Sequence, residues 1–119
     1  MYSFENDRPI YLQIFELIGN DIISGKYACG QKLPSVRELS MMLKVNPNTL
    51  QKALAELEEK KLIVTERTNG KFVTTDKSLI ASVRQELIQN RIKDFLSDME
   101  KINADKAEII KILTQNMKG

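Results

Sequence analysis

Histidine and tryptophan are absent from this 119-residue chain, and cysteine occurs once. Without histidine, the common Ser-His and Cys-His nucleophile pairs and most transition-metal sites are unavailable. Carboxylates remain, but neither an Asp-x-Asp loop nor a glycine-rich phosphate cradle accompanies them. An enzyme is therefore not expected, nor a metal or other cofactor. The single thiol, Cys29, cannot close an internal disulfide, which fits a reducing compartment. It precedes Gly30 in an expected turn and reads as a passive residue rather than a redox sensor. No apolar run approaches the ~20 residues needed to cross a bilayer. The opening Met1-Tyr2-Ser3-Phe4-Glu5 lacks the charged and apolar regions of a signal peptide. The expected location is cytoplasmic. Membrane association through the C-terminal segment is not expected either, because Glu86, Asp94 and Asp98 interrupt its bases.

An excess of one charge is also missing. The net charge is only +2, and residues 1–76 carry as many acids as bases. Net charge thus gives no argument for nucleic acid. The distribution does better. From Lys32 to Lys52 the bases Lys32, Arg37, Lys44 and Lys52 meet Glu38 alone, and Glu56, Glu58 and Glu59 follow only later. The length allows one small domain plus an appendage.

Hydrophobic periodicity divides the chain into elements. After a loose arm through about Arg8, Pro9 suits the first position of a helix. Ile10, Ile14, Leu17 and Ile18 share one face of that helix, which should end near Ser24-Gly25. Gln31-Lys32-Leu33 reads as a brief strand that joins the later hairpin as a third member. Ser35 with Glu38 three residues on is a capping box, and Val36, Leu39 and Leu43 fill the inner face of the helix it starts. The tight connection Lys44-Val45-Asn46 leads to another helix, with Asn46 as cap and Pro47 in its first position. Leu50, Ala53, Leu54, Leu57 and the stem of Lys61 form its inner stripe, while Asn48, Gln51, Lys52 and Ala55 stand opposite. Leu62-Ile63-Val64, a two-residue turn at Asn69-Gly70, and Lys71-Phe72-Val73 complete a hairpin. Helix, turn, helix and hairpin together are the layout of a winged helix-turn-helix, which lays its second helix in a major groove and its hairpin along the backbone.

The pattern changes after Asp76, giving expected domains of 1–76 and 77–119. Leu79, Val83, Leu87, Ile92, Phe95, Leu96, Met99 and Ile102 recur at helical steps, with Asn103 as a left-handed terminus. Asp105 and Glu108 then start a last helix bearing Ile109, Ile112 and Leu113. Two such helices cannot close a core alone. The same pair from a second chain would bury them, giving a two-fold homodimer; packing against the chain's own N-terminal domain is the alternative. The expected class is α+β, mostly helical: a winged helix-turn-helix followed by a two-helix dimerisation segment.

Side-chain chemistry nominates the DNA-facing residues within Asn46-Pro47-Asn48-Thr49 and its neighbours. The amides of Asn48 and Gln51 can donate to and accept from an adenine edge. Thr49 either meets a phosphate or braces the turn. Ser35 is first a cap, although the N–H groups it opens could also grip a phosphate. Lys52, Arg67 and Lys71 read as phosphate contacts. Asn69 and Gly70 belong to the turn and stand near the backbone, and Lys44 faces either DNA or solvent.

Pro9-Ile10-Tyr11-Leu12-Gln13-Ile14, Gly30-x-x-Leu33-Pro34-Ser35-x-Arg37-Glu38-Leu39, Val45-Asn46-Pro47-Asn48-Thr49-Leu50-x-x-Ala53-Leu54 and Leu57-Glu58-x-x-x-Leu62-Ile63 occur in order. In this the chain resembles the GntR family of bacterial transcription regulators, and its short tail is similar to the YtrA-type subfamily. The resemblance implies a dimer on double-stranded operator DNA and repression, often of transporter operons, without implying a sizeable ligand pocket or naming an effector. It also implies a DNA contact for Arg37, whose planar fork suits a phosphate or a guanine edge; a surface ion pair is the alternative. The chain departs from the family pattern at Pro47, where many relatives carry arginine, and at Gln51, where a basic residue is frequent. It also departs in the hairpin, which has one glycine where Gly-x-Gly is usual. A winged helix that docks a protein instead of DNA is the competing reading, and the salt dependence of any DNA binding separates the two.

Overall fold

Capping chemistry sets where each helix begins. The structure, a computed structural model, describes residues 3–118. It consists of α1 (Ile10–Ile23), α2 (Val36–Leu43), α3 (Pro47–Glu59), β1 (Ile63–Glu66), β2 (Gly70–Val73), α4 (Lys77–Lys101) and α5 (Lys106–Met117). Pro9, expected as the first helical residue, is instead the residue that caps α1: its ψ of 134° is extended, and its carbonyl accepts from Leu12 and Gln13. At Ser35 the capping box closes in both directions. The Ser35 hydroxyl accepts from the Glu38 N–H at 3.1 Å, and the Glu38 carboxylate accepts from the Ser35 N–H at 3.0 Å. Asn46 caps α3 by accepting from the Asn48 N–H at 2.8 Å, with Pro47 in the first turn.

The first compact unit runs to Val83. Its core joins Ile14, Ile18 and Ile22 of α1 to Leu39 of α2, Leu50, Ala53, Leu54 and Leu57 of α3, and Ile63 and Val73 of the hairpin. Each large side chain contributes about 1.5–3 kcal/mol by leaving water. Three expectations need correction here. Ile10 is exposed, and the inner face of α1 is completed by Ile22 and Gly19, which lies against Leu57. Lys61 does not extend the α3 stripe; it stands outside the helix, exposed, at a left-handed φ of 65°. That conformation lets Lys61 donate to the Glu58 carbonyl and Leu62 to the Leu57 carbonyl, satisfying the helix end by a Schellman motif, with buried Leu62 packing back toward Leu57. Nor is the N-terminal arm loose among the described residues. The buried Gln13 amide accepts from the Glu5 N–H and donates to the Glu5 and Arg8 carbonyls, Arg8 pairs with Glu16 at 2.6 Å, and Phe4 packs on the core. Met1 and Tyr2, the start of that arm, lie outside the described residues.

The hairpin register also departs from expectation. Ile63 pairs with Val73 and Glu66 with Gly70, so the loop is the three residues Arg67-Thr68-Asn69, not the two-residue turn Asn69-Gly70. The core imposes this. Directly opposed residues share a face, and Ile63 and Val73 are both buried. A two-residue turn at Asn69-Gly70 would set Val73 opposite Glu66. Only Gly70, at φ 104°, takes positive φ in the hairpin. Gln31-Lys32-Leu33 does join as a third member, but only by a bridge from Lys32 to Phe72, with Leu33 donating to Lys71 and Val73 to Gln31.

The first turns of α4 belong to this unit, because Ile80 and Val83 pack against its core. The Asp76 carboxylate caps α4 by accepting from the Leu79 N–H. The second unit begins at Arg84 and holds the rest of α4 and all of α5. Asn103 takes the expected left-handed conformation at φ 58°, and Ala104 donates to the Met99 carbonyl. Asp105 caps α5 through the Glu108 N–H. No described residue of α4 or α5 is buried. No helix among the described residues is long and apolar enough to cross a membrane.

Candidate nucleic-acid interface

Two helix starts and the hairpin carry the expected contact residues. Arg37 sits in the first turn of α2, exposed, with no hydrogen bond or ion pair among the described residues. The ion pair that was its alternative role is not formed, since Glu38 turns back to the Ser35 N–H. That hydrogen bond, then the Ser35 side chain, and the charge of Lys32 hold the Glu38 carboxyl below its ordinary value. The acid next to Arg37 is thereby committed to the cap.

On α3, Asn48 and Gln51 project exposed amides without side-chain partners among the described residues, and Pro47 is exposed beside them. Asn46 uses its own amide for capping. Thr49 is half-buried. Lys44 ends α2 in the left-handed region (φ 55°), where Val45 donates to the Ser40 carbonyl, which makes the tight turn between the two helices. The Lys44 side chain is exposed.

The other basic residues divide into held and unheld. Lys52 lies over the Tyr11 ring, its Nζ 4.0 Å from the centroid, a cation–π contact between α3 and α1. Lys71 is held as well: its Nζ is 3.3 Å from Glu58 Oε1 and donates to Thr65 Oγ1 at 2.8 Å. The Thr65 hydroxyl donates to the same Glu58 oxygen. Arg67, in the hairpin loop, is exposed and unpaired among the described residues. The Asn69 amide donates to Glu66 at 3.3 Å.

Sequence reasoning missed Tyr11, Glu58 and Thr65 as supports of this surface. It also passed over Met41 and Met42, 70% and 62% exposed, on the outer side of α2. Thr65 was legible once the register is right, since it pairs with Lys71 across the strands. Nothing in the sequence brings Tyr11 to Lys52 or Glu58 to Lys71 before the fold is known. Of the residues expected at a dimer interface, Val83 packs on its own unit's core and Leu79 lines a shallow cavity with Ile63, Val64 and Thr74. In the second unit, Phe95, Met99, Ile102, Ile109, Ile112 and Leu113 line an apolar cavity of about 480 Å³. Leu87 is half-buried, while Ile92, Leu96 and Ile110 are exposed, joined by Ile88, which the sequence reading left out.

The family described as bacterial regulatory proteins, gntR family, matches residues 10–73. The repressor YtrA of Bacillus subtilis is 31% identical over 115 residues, covering 93% of this chain and 88% of its own. A GntR family transcriptional regulator from Listeria monocytogenes superposes with a TM-score of 0.90 at 41% identity, over 94% of this chain and 98% of its own. The DNA-binding domain of AraR, solved in complex with operator ORR3, is 31% identical with a TM-score of 0.55, over 62% of this chain and 89% of its own.

Proposed function

Because this chain belongs to the GntR family of bacterial regulatory proteins, we propose that it is a repressor that binds a pseudo-palindromic operator as a homodimer. That it is a transcriptional regulator with a DNA-binding helix-turn-helix, not an enzyme, follows from the family match and its relatives. The observation that carries the finer reading is the set of polar side chains without a partner among the described residues at two capped helix starts, Arg37 on α2 with Asn48 and Gln51 on α3. Exposed amides at the start of a recognition helix match adenine N6 and N7, and a guanidinium matches a guanine edge or a phosphate. Ser35 and its helix start, with Arg67 in the hairpin, would take the flanking backbone.

Repression is supported by the likeness to YtrA, described as a transcriptional repressor. The YtrA-type resemblance carries transporter operons as the class of target. Operator binding is supported by the AraR domain found on operator DNA. A homodimer is supported by the exposed apolar faces of α4 and α5, and would set two recognition helices about 34–36 Å apart on one side of the duplex.

Selection of bound duplexes from a random DNA pool, repeated at two salt concentrations, tests the whole reading. An inverted repeat whose binding weakens at higher salt is the expected result. A folded protein that enriches no motif would redirect the reading to a protein-docking winged helix.

A further inference from the structure

The hairpin carries two cations in opposite situations. Arg67 at the loop is unpaired among the described residues, whereas Lys71 is tied into a three-membered ring of polar contacts. Glu58, in the last turn of α3, offers one carboxylate oxygen to both the Thr65 hydroxyl and the Lys71 ammonium. Thr65 Oγ1 in turn accepts from Lys71. Because Thr65 and Lys71 oppose each other across the two strands, the carboxylate grips both strands at one level. Lys71 is the less exposed partner, its side chain 26% accessible against 45% for Glu58.

We infer that Glu58 and Lys71 form a clamp that fixes the hairpin to the recognition helix, so that Lys71 is a positioning residue and Arg67 is the hairpin's phosphate contact. The inference rests on the DNA-binding reading above and assigns roles within it. Moving Lys71 to a phosphate would leave the Glu58 carboxylate with Thr65 alone and would undo the tie to β2, while Ile63 and Val73 stay in the core. Arg67 has no such tie to break. With one cation committed to the clamp, the hairpin presents a fixed height above the groove in which α3 lies, and its loop supplies the attraction. Hydrogen bonding from Thr65, then from Lys71, together with the charge of Lys71, lowers the Glu58 pKa, so the carboxylate is ionised at neutral pH, as the clamp requires.

The test measures binding of the full-length protein to a 30-bp mixed-sequence duplex across a salt series, together with amide hydrogen exchange of the hairpin. Each phosphate neutralised contributes about 0.9 to the slope of log K against log salt concentration. Arg67→Ala is expected to flatten that slope by about 0.9 and leave hairpin exchange unchanged. Lys71→Met and Glu58→Gln are expected to leave the slope unchanged and to speed exchange across β1 and β2 roughly two- to fivefold, the range of an exposed ion pair. The double variant should exchange no faster than either single one, and Lys71→Arg should restore protection. A slope flattened by Lys71→Met as much as by Arg67→Ala overturns the assignment. So does hairpin exchange that ignores both Lys71→Met and Glu58→Gln. A wild-type chain that bound no duplex would sink the DNA reading, and the exchange data alone would still decide the clamp.

Discussion

Arg37 and Gln51 have no competing side-chain partner among the described residues, so their removal should read most directly on DNA. Both are exposed, and neither takes part in the core or in a cap. Arg37→Ala and Gln51→Ala should therefore unfold at the wild-type temperature and weaken operator binding, each by about 1–3 kcal/mol if its contact is bidentate to a base edge. Calorimetric melting and fluorescence anisotropy on the selected operator check the two halves of that expectation. Operator affinity unchanged in both variants would overturn the role assigned to them. Asn46 lacks this independence, because its amide holds the α3 start, and its replacement would mix a lost cap with any lost contact. The exposure of Asn48 and Gln51 was legible from helical position, whereas Arg37 was nominated by the family resemblance with an ion pair as the alternative. The tied residues were not legible: Lys52 and Lys71 look like the other bases until Tyr11 and Glu58 arrive from distant parts of the chain.

At the level of elements, local signals were read correctly where the chemistry is local. Ser35 with Glu38, Asn46 with Pro47, and Asp105 cap the helices they were expected to cap, since each acts within three residues of itself. Left-handed helix ends were legible at Asn103, a residue type that favours them, but not at Lys44 or Lys61, where backbone hydrogen bonds back to Ser40, Glu58 and Leu57 close the helix end around a lysine. The hairpin failed for a different reason. Asn-Gly is the strongest short-range signal for a two-residue turn, but the buried pair Ile63 and Val73 demands an odd number of loop residues. The two turn types make opposite predictions. In a two-residue turn, both Asn69 and Gly70 would need positive φ. In the observed three-residue loop only Gly70 does, and a Cβ there would also lie 3.3 Å from Lys32 Cε. Gly70→Ala should cost at least about 1 kcal/mol, whereas Asn69→Ala, losing one exposed hydrogen bond at 3.3 Å, should stay within about 0.5 kcal/mol. Urea unfolding of the two variants measures both, and equal large losses would restore the two-residue turn.

At the scale of the whole molecule, the two units differ in how well each is closed. The first surrounds fully buried residues, and Ile80 and Val83 add to its core. The second contains no described buried residue, while Ile92, Leu96, Ile102 and Ile110 are each about half exposed or more. Leaving that much apolar surface in water is unfavourable at roughly 25 cal/mol per Å², and two helices alone have too little interior to remove it themselves. A two-fold partner would remove it with one self-complementary patch, since the same surface of each copy would face the other. Phe95 and Met99 line the apolar cavity of this unit together with Ile109 and Leu113, so a charge placed there meets apolar neighbours in any assembly that uses the face. Phe95→Glu and Met99→Glu should each leave the first unit folded, halve the mass found by light scattering, and weaken binding to the full inverted repeat far more than to a single half-site. Two variants that remain dimeric at wild-type concentration would move the interface off this face, and with it the geometry proposed for the operator complex.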